Sequence, residues 1–161
     1  MTSSLSHEDR AAAIARLRQL PAQLEALVDS LTEAQLDARP NGEWSVRQNV
    51  HHLADAHMNV FIRMKLALTE DQPVVKPFDQ DTWAETPEAC AAPIEQSLAI
   101  LRGLHARWAM LFESLDDTAF GRTFLHPEYG IVTVEALLTS YANHGEAHLK
   151  QIRETLAAAS A

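Results

Sequence analysis

Residues 45–68 read SVRQNVHHLADAHMNVFIRMKLAL. The stretch holds neither glycine nor proline. Val46, Val50, Leu53, Val60, Met64 and Leu68 recur at helical spacing and define one apolar face. Ser45 and Gln48 stand three apart, the spacing of a capping box, so a helix is predicted to start at Ser45. One apolar stripe on an otherwise polar helix calls for partner helices to cover it.

Three further segments repeat the pattern. The first runs over Ser6–Ser30, with Ser6 and Asp9 at its start and Leu17, Leu20, Leu24, Leu27 and Val28 as its stripe. Pro21 inside it predicts a kink. Ser30 and Glu33 have capping-box spacing and predict a short turn of helix at Leu31–Asp37, before a loop at Pro40-Asn41-Gly42. A helix after Pro93 carries Leu98, Leu101, Leu104, Trp108 and Leu111. A last helix, from near Thr133 to about Ala157, carries Val134, Leu138, Tyr141, Ile152 and Leu156. No segment shows strand alternation. Four amphipathic helices without repeats or low-complexity linkers predict an all-α four-helix bundle in a single domain over 1–161. Two long irregular connections, Thr69–Ala92 and Asp116–Gly130, allow a crossover topology. The first holds Pro73, Pro77 and Pro87, with Phe78 and Trp83 to pack it down as a cover.

The chain has 161 residues and a formal net charge of −9. That charge disfavours nucleic acid and anionic membrane surfaces as partners. Met1–Arg10 has no apolar core of a signal peptide, and no apolar run reaches the length of a membrane span, so a cytoplasmic setting is expected. The single cysteine, Cys90, excludes an internal disulfide or a thiolate cluster. A metal would therefore depend on carboxylates and the eight histidines.

His144 and His148 lie four apart, which stacks them on one helix face about 6 Å apart at Cβ. Such a pair can share one metal ion, and it can equally be two hydrogen-bonded imidazoles. No Glu follows the first His, so the metalloprotease signature is absent. A third ligand must come from another helix, and 45–68 offers His51, His52 and His57. Periodicity puts His57 on the apolar face. It puts His52 about 120° away, beside Gln48, Asp55 and Asn59. The spacing leans to His57 without choosing.

Several stretches match a known pattern in order and spacing: residues 44–59 and 63–70, Lys76-Pro77-Phe78-Asp79, Trp83-Ala84-Glu85, Leu104-His105-Ala106-Arg107-Trp108 and Phe124-Leu125-His126-Pro127-Glu128. In these the chain resembles the YfiT-like branch of the DinB superfamily. The resemblance implies a four-helix bundle with one divalent ion, nickel or zinc, held by His52, His144 and His148, and a cavity on the Gln48–His52–Asp55–Asn59 side. It replaces His57 with His52. The sequence departs from the family pattern at Asn143, where an aromatic residue is usual, and at Ala147, where a further His is common.

Three imidazoles leave a coordination position open, the mark of a catalytic site. The resemblance implies a transferase that conjugates a low-molecular-weight thiol of the bacillithiol type to an electrophilic small molecule. The alternative is a hydrolase using metal-bound hydroxide. A reading of another class is a non-catalytic, metal-stabilised bundle that binds a small ligand. Asp55 and Asn59 are candidates to order water or orient an imidazole, and Arg63, with Lys65, to hold an anionic thiol cosubstrate. His126 is expected in a loop at the entrance, His7 and His105 in solvent, and Cys90 in a loop as a bystander. Relatives suggest a homodimer.

Overall fold

The computed structural model describes residues 5–40 and 42–160. Residues 1–4 and Asn41 of the expected loop lie outside the described residues. Ser6 accepts from the Asp9 amide and starts α1 (His7–Val28), which continues through a buried Pro21. The Leu31 amide then donates to the Val28 carbonyl, which uses Ser30 in the turn. The capping box therefore forms two residues later than expected, between Thr32 and Gln35, and opens α2 (Glu33–Asp37). The box at Ser45 and Gln48 forms as predicted and opens α3 (Val46–Thr69).

The connection after α3 runs extended and then forms two short helices, α4 (Gln80–Ala84), capped by Asp79, and α5 (Pro87–Ala91), capped by Thr86. Cys90 thus sits exposed in a helix rather than in a loop. The buried Arg47 guanidinium ties this region down. It pairs with Glu33 and Asp37 and donates to the Ala92 carbonyl at 2.8 Å. The Gln48 amide adds a 2.8 Å hydrogen bond to the Ala84 carbonyl.

Helix α6 (Glu95–Glu113) begins at Ile94 without a side-chain cap. After α7 (Asp117–Phe120), strands β1 (Thr123–His126) and β2 (Gly130–Thr133) pair antiparallel, with His126 opposite Gly130. This hairpin corrects the expectation of no strands. Gly130 at φ +74° supplies the left-handed residue the turn needs. The cover segment lends support, since the Val75 amide donates to the Leu125 carbonyl at 3.0 Å. Helix α8 (Val134–Ala159) follows directly, capped by Thr133.

The long helices form the predicted bundle. Helix α1 packs on α6 and α8, and α3 packs on the same pair. Consecutive α1 and α3 therefore occupy opposite corners, which is the crossover the long connections allow. One core cluster centres on Leu17, Met64, Trp108, Phe112 and Leu138. The other centres on Leu24, Val50, Leu53, Leu101 and Ile152. Gly145 lets α8 lie close on α1, because a Cβ there would come within 2.6 Å of Leu20 Cδ2. Among the described residues no helix is long and apolar enough to cross a membrane.

Candidate metal centre

Helix α3 brings His52, and α8 brings His144 and His148, to the wall between them. Among the described residues these three form a group whose donor atoms all lie within 4.8 Å of one another. Nε2 of His144 is 3.3 Å from Nε2 of His52 and 3.2 Å from Nε2 of His148. Nδ1 of His148 lies 2.8 Å from Oδ1 of Asn49, whose NH2 group donates to the Ser45 carbonyl at 2.9 Å. The Asn49 oxygen can only accept, so a neutral His148 carries its proton on Nδ1 and a lone pair on Nε2.

Burial keeps these imidazoles neutral. It pulls His52 and His144 down to about 3, with their imidazole neighbours adding to the effect, and His148 to about 4. Tetrahedral coordination at about 2.0–2.1 Å per nitrogen requires nitrogens about 3.3–3.4 Å apart. The spacing, the neutral rings and the His148 tautomer all fit a divalent ion.

The cluster lies between two cavities. One, of about 620 Å³, is lined by Arg39, Trp44, Gln80, His144, His148 and Gln151. The Trp44 ring stacks on His148 with an 11° interplanar angle. The other, of about 260 Å³, reaches the imidazoles past Arg63, Phe78, Tyr141 and His126. It continues into a space of about 320 Å³ that adds Val60, Phe124 and Leu137. Exposed Tyr129 and Ile131 stand at its rim.

Of the residues singled out in the sequence, the structure brings Arg63 to this second cavity. Its guanidinium donates to the Lys76 carbonyl at 2.7 Å and lies over the Phe78 ring. Asp55 and Asn59 line neither cavity. Burial, with Glu88 nearby, raises the Asp55 carboxyl, and the Asn59 amide donates back to the Asp55 carbonyl at 3.0 Å. Lys65 holds its ammonium over Phe61. His126 belongs to β1 rather than a loop, is buried, and stacks on Tyr129 at 4.6 Å.

His57 is fully buried behind His144, with its Nε2 3.0 Å from His144 Nδ1. Its place on the apolar face turns it into the core, where it meets the back of a candidate ligand instead of the cavity. His105 corrects the expectation of exposure: it is fully buried, 2.8 Å from His57 Nδ1. The signal was present, since His105 lies four after Leu101 and three before Trp108, both fully buried. Asn143 and Ala147, the departures from the family pattern, both face outward, and Asn143 accepts from Arg16 at 3.1 Å.

Residues 16–152 match the DinB superfamily model. The chain belongs to the DinB superfamily. Among its DinB relatives, YfiT from Bacillus subtilis is 42% identical over 153 residues, spanning 94% of this chain and 86% of the relative. A relative from Geobacillus kaustophilus is 48% identical over 142 residues, spanning 86% of this chain and 79% of the relative. Both are provisionally named metal-dependent hydrolases. The solved structure of Bacillus subtilis YfiT, described as having an unusual four-helix-bundle topology, superposes with a TM-score of 0.92 at 41% identity. It covers 96% of this chain and 90% of its own.

Proposed function

We propose that this DinB-family protein is a metal-dependent transferase that presents a low-molecular-weight thiol to an electrophilic small molecule. The observation that carries this reading is the placement of three neutral imidazoles between two cavities, room for two reactants meeting at one point. His52, His144 and His148 would hold a nickel or zinc ion, both suited to imidazole. Such an ion would supply the Lewis acidity to deprotonate a coordinated thiol or to acidify water. Conjugation would form a bond between the thiol sulfur and the electrophilic carbon, with the displaced group leaving with the bonding pair and the thiol proton passing to solvent through the open cavity.

The rest of the site binds and orients. The Arg63 guanidinium offers paired donors to a carboxylate of either reactant. The Glu128 amide donates to His126 Nδ1 at 3.2 Å, so a neutral His126 keeps its proton on Nε2. Burial pushes the Tyr141 hydroxyl up to about 12, so it stays a hydrogen-bond donor on the cavity wall. Donors on this wall favour an anionic group near the imidazoles.

A hydrolase is the second reading, favoured by the names of the relatives. Zinc- or nickel-loaded protein incubated with a reactive electrophile and candidate thiols separates the two. Conjugation that needs both metal and thiol, and that disappears in His148→Ala, is the expected result. Ester or amide cleavage without thiol would establish the hydrolase instead.

A further inference from the structure

Behind the candidate metal centre, four groups stand in one row, each on a different long helix. The Leu17 carbonyl of α1 lies 2.5 Å from His105 Nδ1 of α6. His105 Nε2 lies 2.8 Å from His57 Nδ1 of α3, and His57 Nε2 lies 3.0 Å from His144 Nδ1 of α8. Each contact is close enough for a hydrogen bond. We propose that His105 and His57 are positioning residues that carry a tautomer choice from the Leu17 carbonyl to His144. The proposal rests on the reading of His144 as a ligand.

The direction follows from donor and acceptor chemistry alone. A carbonyl oxygen can only accept, so His105 Nδ1 must carry a proton. A neutral imidazole has one donor and one acceptor nitrogen, so His105 Nε2 accepts. His57 Nδ1 therefore donates, and its Nε2 accepts. His144 Nδ1 donates in turn, which leaves the Nε2 lone pair of His144 facing the nitrogens of His52 and His148. The reverse assignment would put two donors or two acceptors face to face at one contact.

The packing holds the row in place. The His57 ring lies edge-on to Trp108 and Tyr141 at 5.7 and 5.2 Å, and nearly parallel to His105 at 4.9 Å. His57 and His105 have no exposed surface, so water does not compete for these contacts. Ligating histidines depend on such a partner at the second ring nitrogen for tautomer and orientation. Here that partner is two more imidazoles anchored on a main-chain carbonyl.

Nitrogen-15 NMR of the metal-free protein reads the tautomers directly. The expected result is the Nδ1–H form at His105, His57 and His144, and an Nε2–H form at His144 would overturn the proposal. Zinc affinity by competition with a chromophoric chelator gives a second readout. His57→Phe, which keeps a ring but has no nitrogen, should weaken zinc binding about 10–100-fold. It should also release His144 to the Nε2–H form. His57→Gln, whose amide can both accept and donate, should recover most of the affinity. A folded His57→Phe with unchanged zinc affinity would equally overturn it. If His57→Phe does not fold, the wild-type NMR result decides. If zinc fails to bind the wild type, the proposed function fails while the tautomers still decide this proposal.

Discussion

At the scale of single residues, the two histidines of α8 obtain their tautomers differently. His144 leans on other imidazoles, whereas His148 leans on the Asn49 amide. Asn49→Ala removes that acceptor and should weaken zinc binding about 10–100-fold, measured by chelator competition. Unchanged affinity would show that the Asn49 contact does not orient His148. The α8 pair was legible in the sequence because both its members lie on one helical face. His52 was not, since a residue facing a polar cavity leaves no apolar periodicity around it. Spacing leans to His57 for the complementary reason: the apolar stripe says which way a ring points, not whether it meets a cavity or a core.

At the scale of elements, helix starts were the most legible feature. Ser6 and Ser45 cap where local spacing predicts, because a cap needs only residues three or four apart, and the last helix starts at Thr133 as expected, whereas the box expected at Ser30 forms at Thr32. The hairpin was illegible. Its strands have four residues each, too few for alternation to show, and its pairing with the cover segment is a contact distant in sequence. The contact of α8 with α1 makes a prediction at this scale. Gly145→Ala gains about 1 kcal/mol of helix propensity. It also drives a methyl into Leu20, whose Cγ as well as both Cδ atoms lie within 3.3 Å of the new atom, so one rotation does not clear it. Overpacking costs about 1–3 kcal/mol and outweighs the gain. Thermal unfolding of metal-free protein should show a lower midpoint. A higher midpoint would mean that the Leu20 side chain yields freely.

At the scale of the whole molecule, six buried or half-buried imidazoles set the response to acid. His52, His57, His105, His126, His144 and His148 are all held below the usual histidine value, first by burial. The unfolded chain takes up protons at these positions below about pH 6.5, and the folded chain does not. Stability is therefore at its plateau above that pH and falls as the pH drops towards 4 and 3. Each imidazole contributes up to about 1.4 kcal/mol per pH unit within this window. Urea unfolding of metal-free protein at pH 7.5 and 5.5 should differ by on the order of several kcal/mol. Equal stability would mean that the rings are protonated in the fold.

A metal would act in the opposite sense, since its candidate ligands join α3 to α8. Zinc at a thousand times its dissociation constant should add about 4.1 kcal/mol, seen in calorimetry as a higher unfolding midpoint. Two kinds of backbone surround the site. The candidate ligands stand on long bundle helices, whereas Phe78, Gln80, His126 and Tyr129 stand on the connections. Connections tolerate substitution and insertion better than packed helices do. Substitution on the connections would thus change the range of molecules accepted without moving the candidate ligands beneath them.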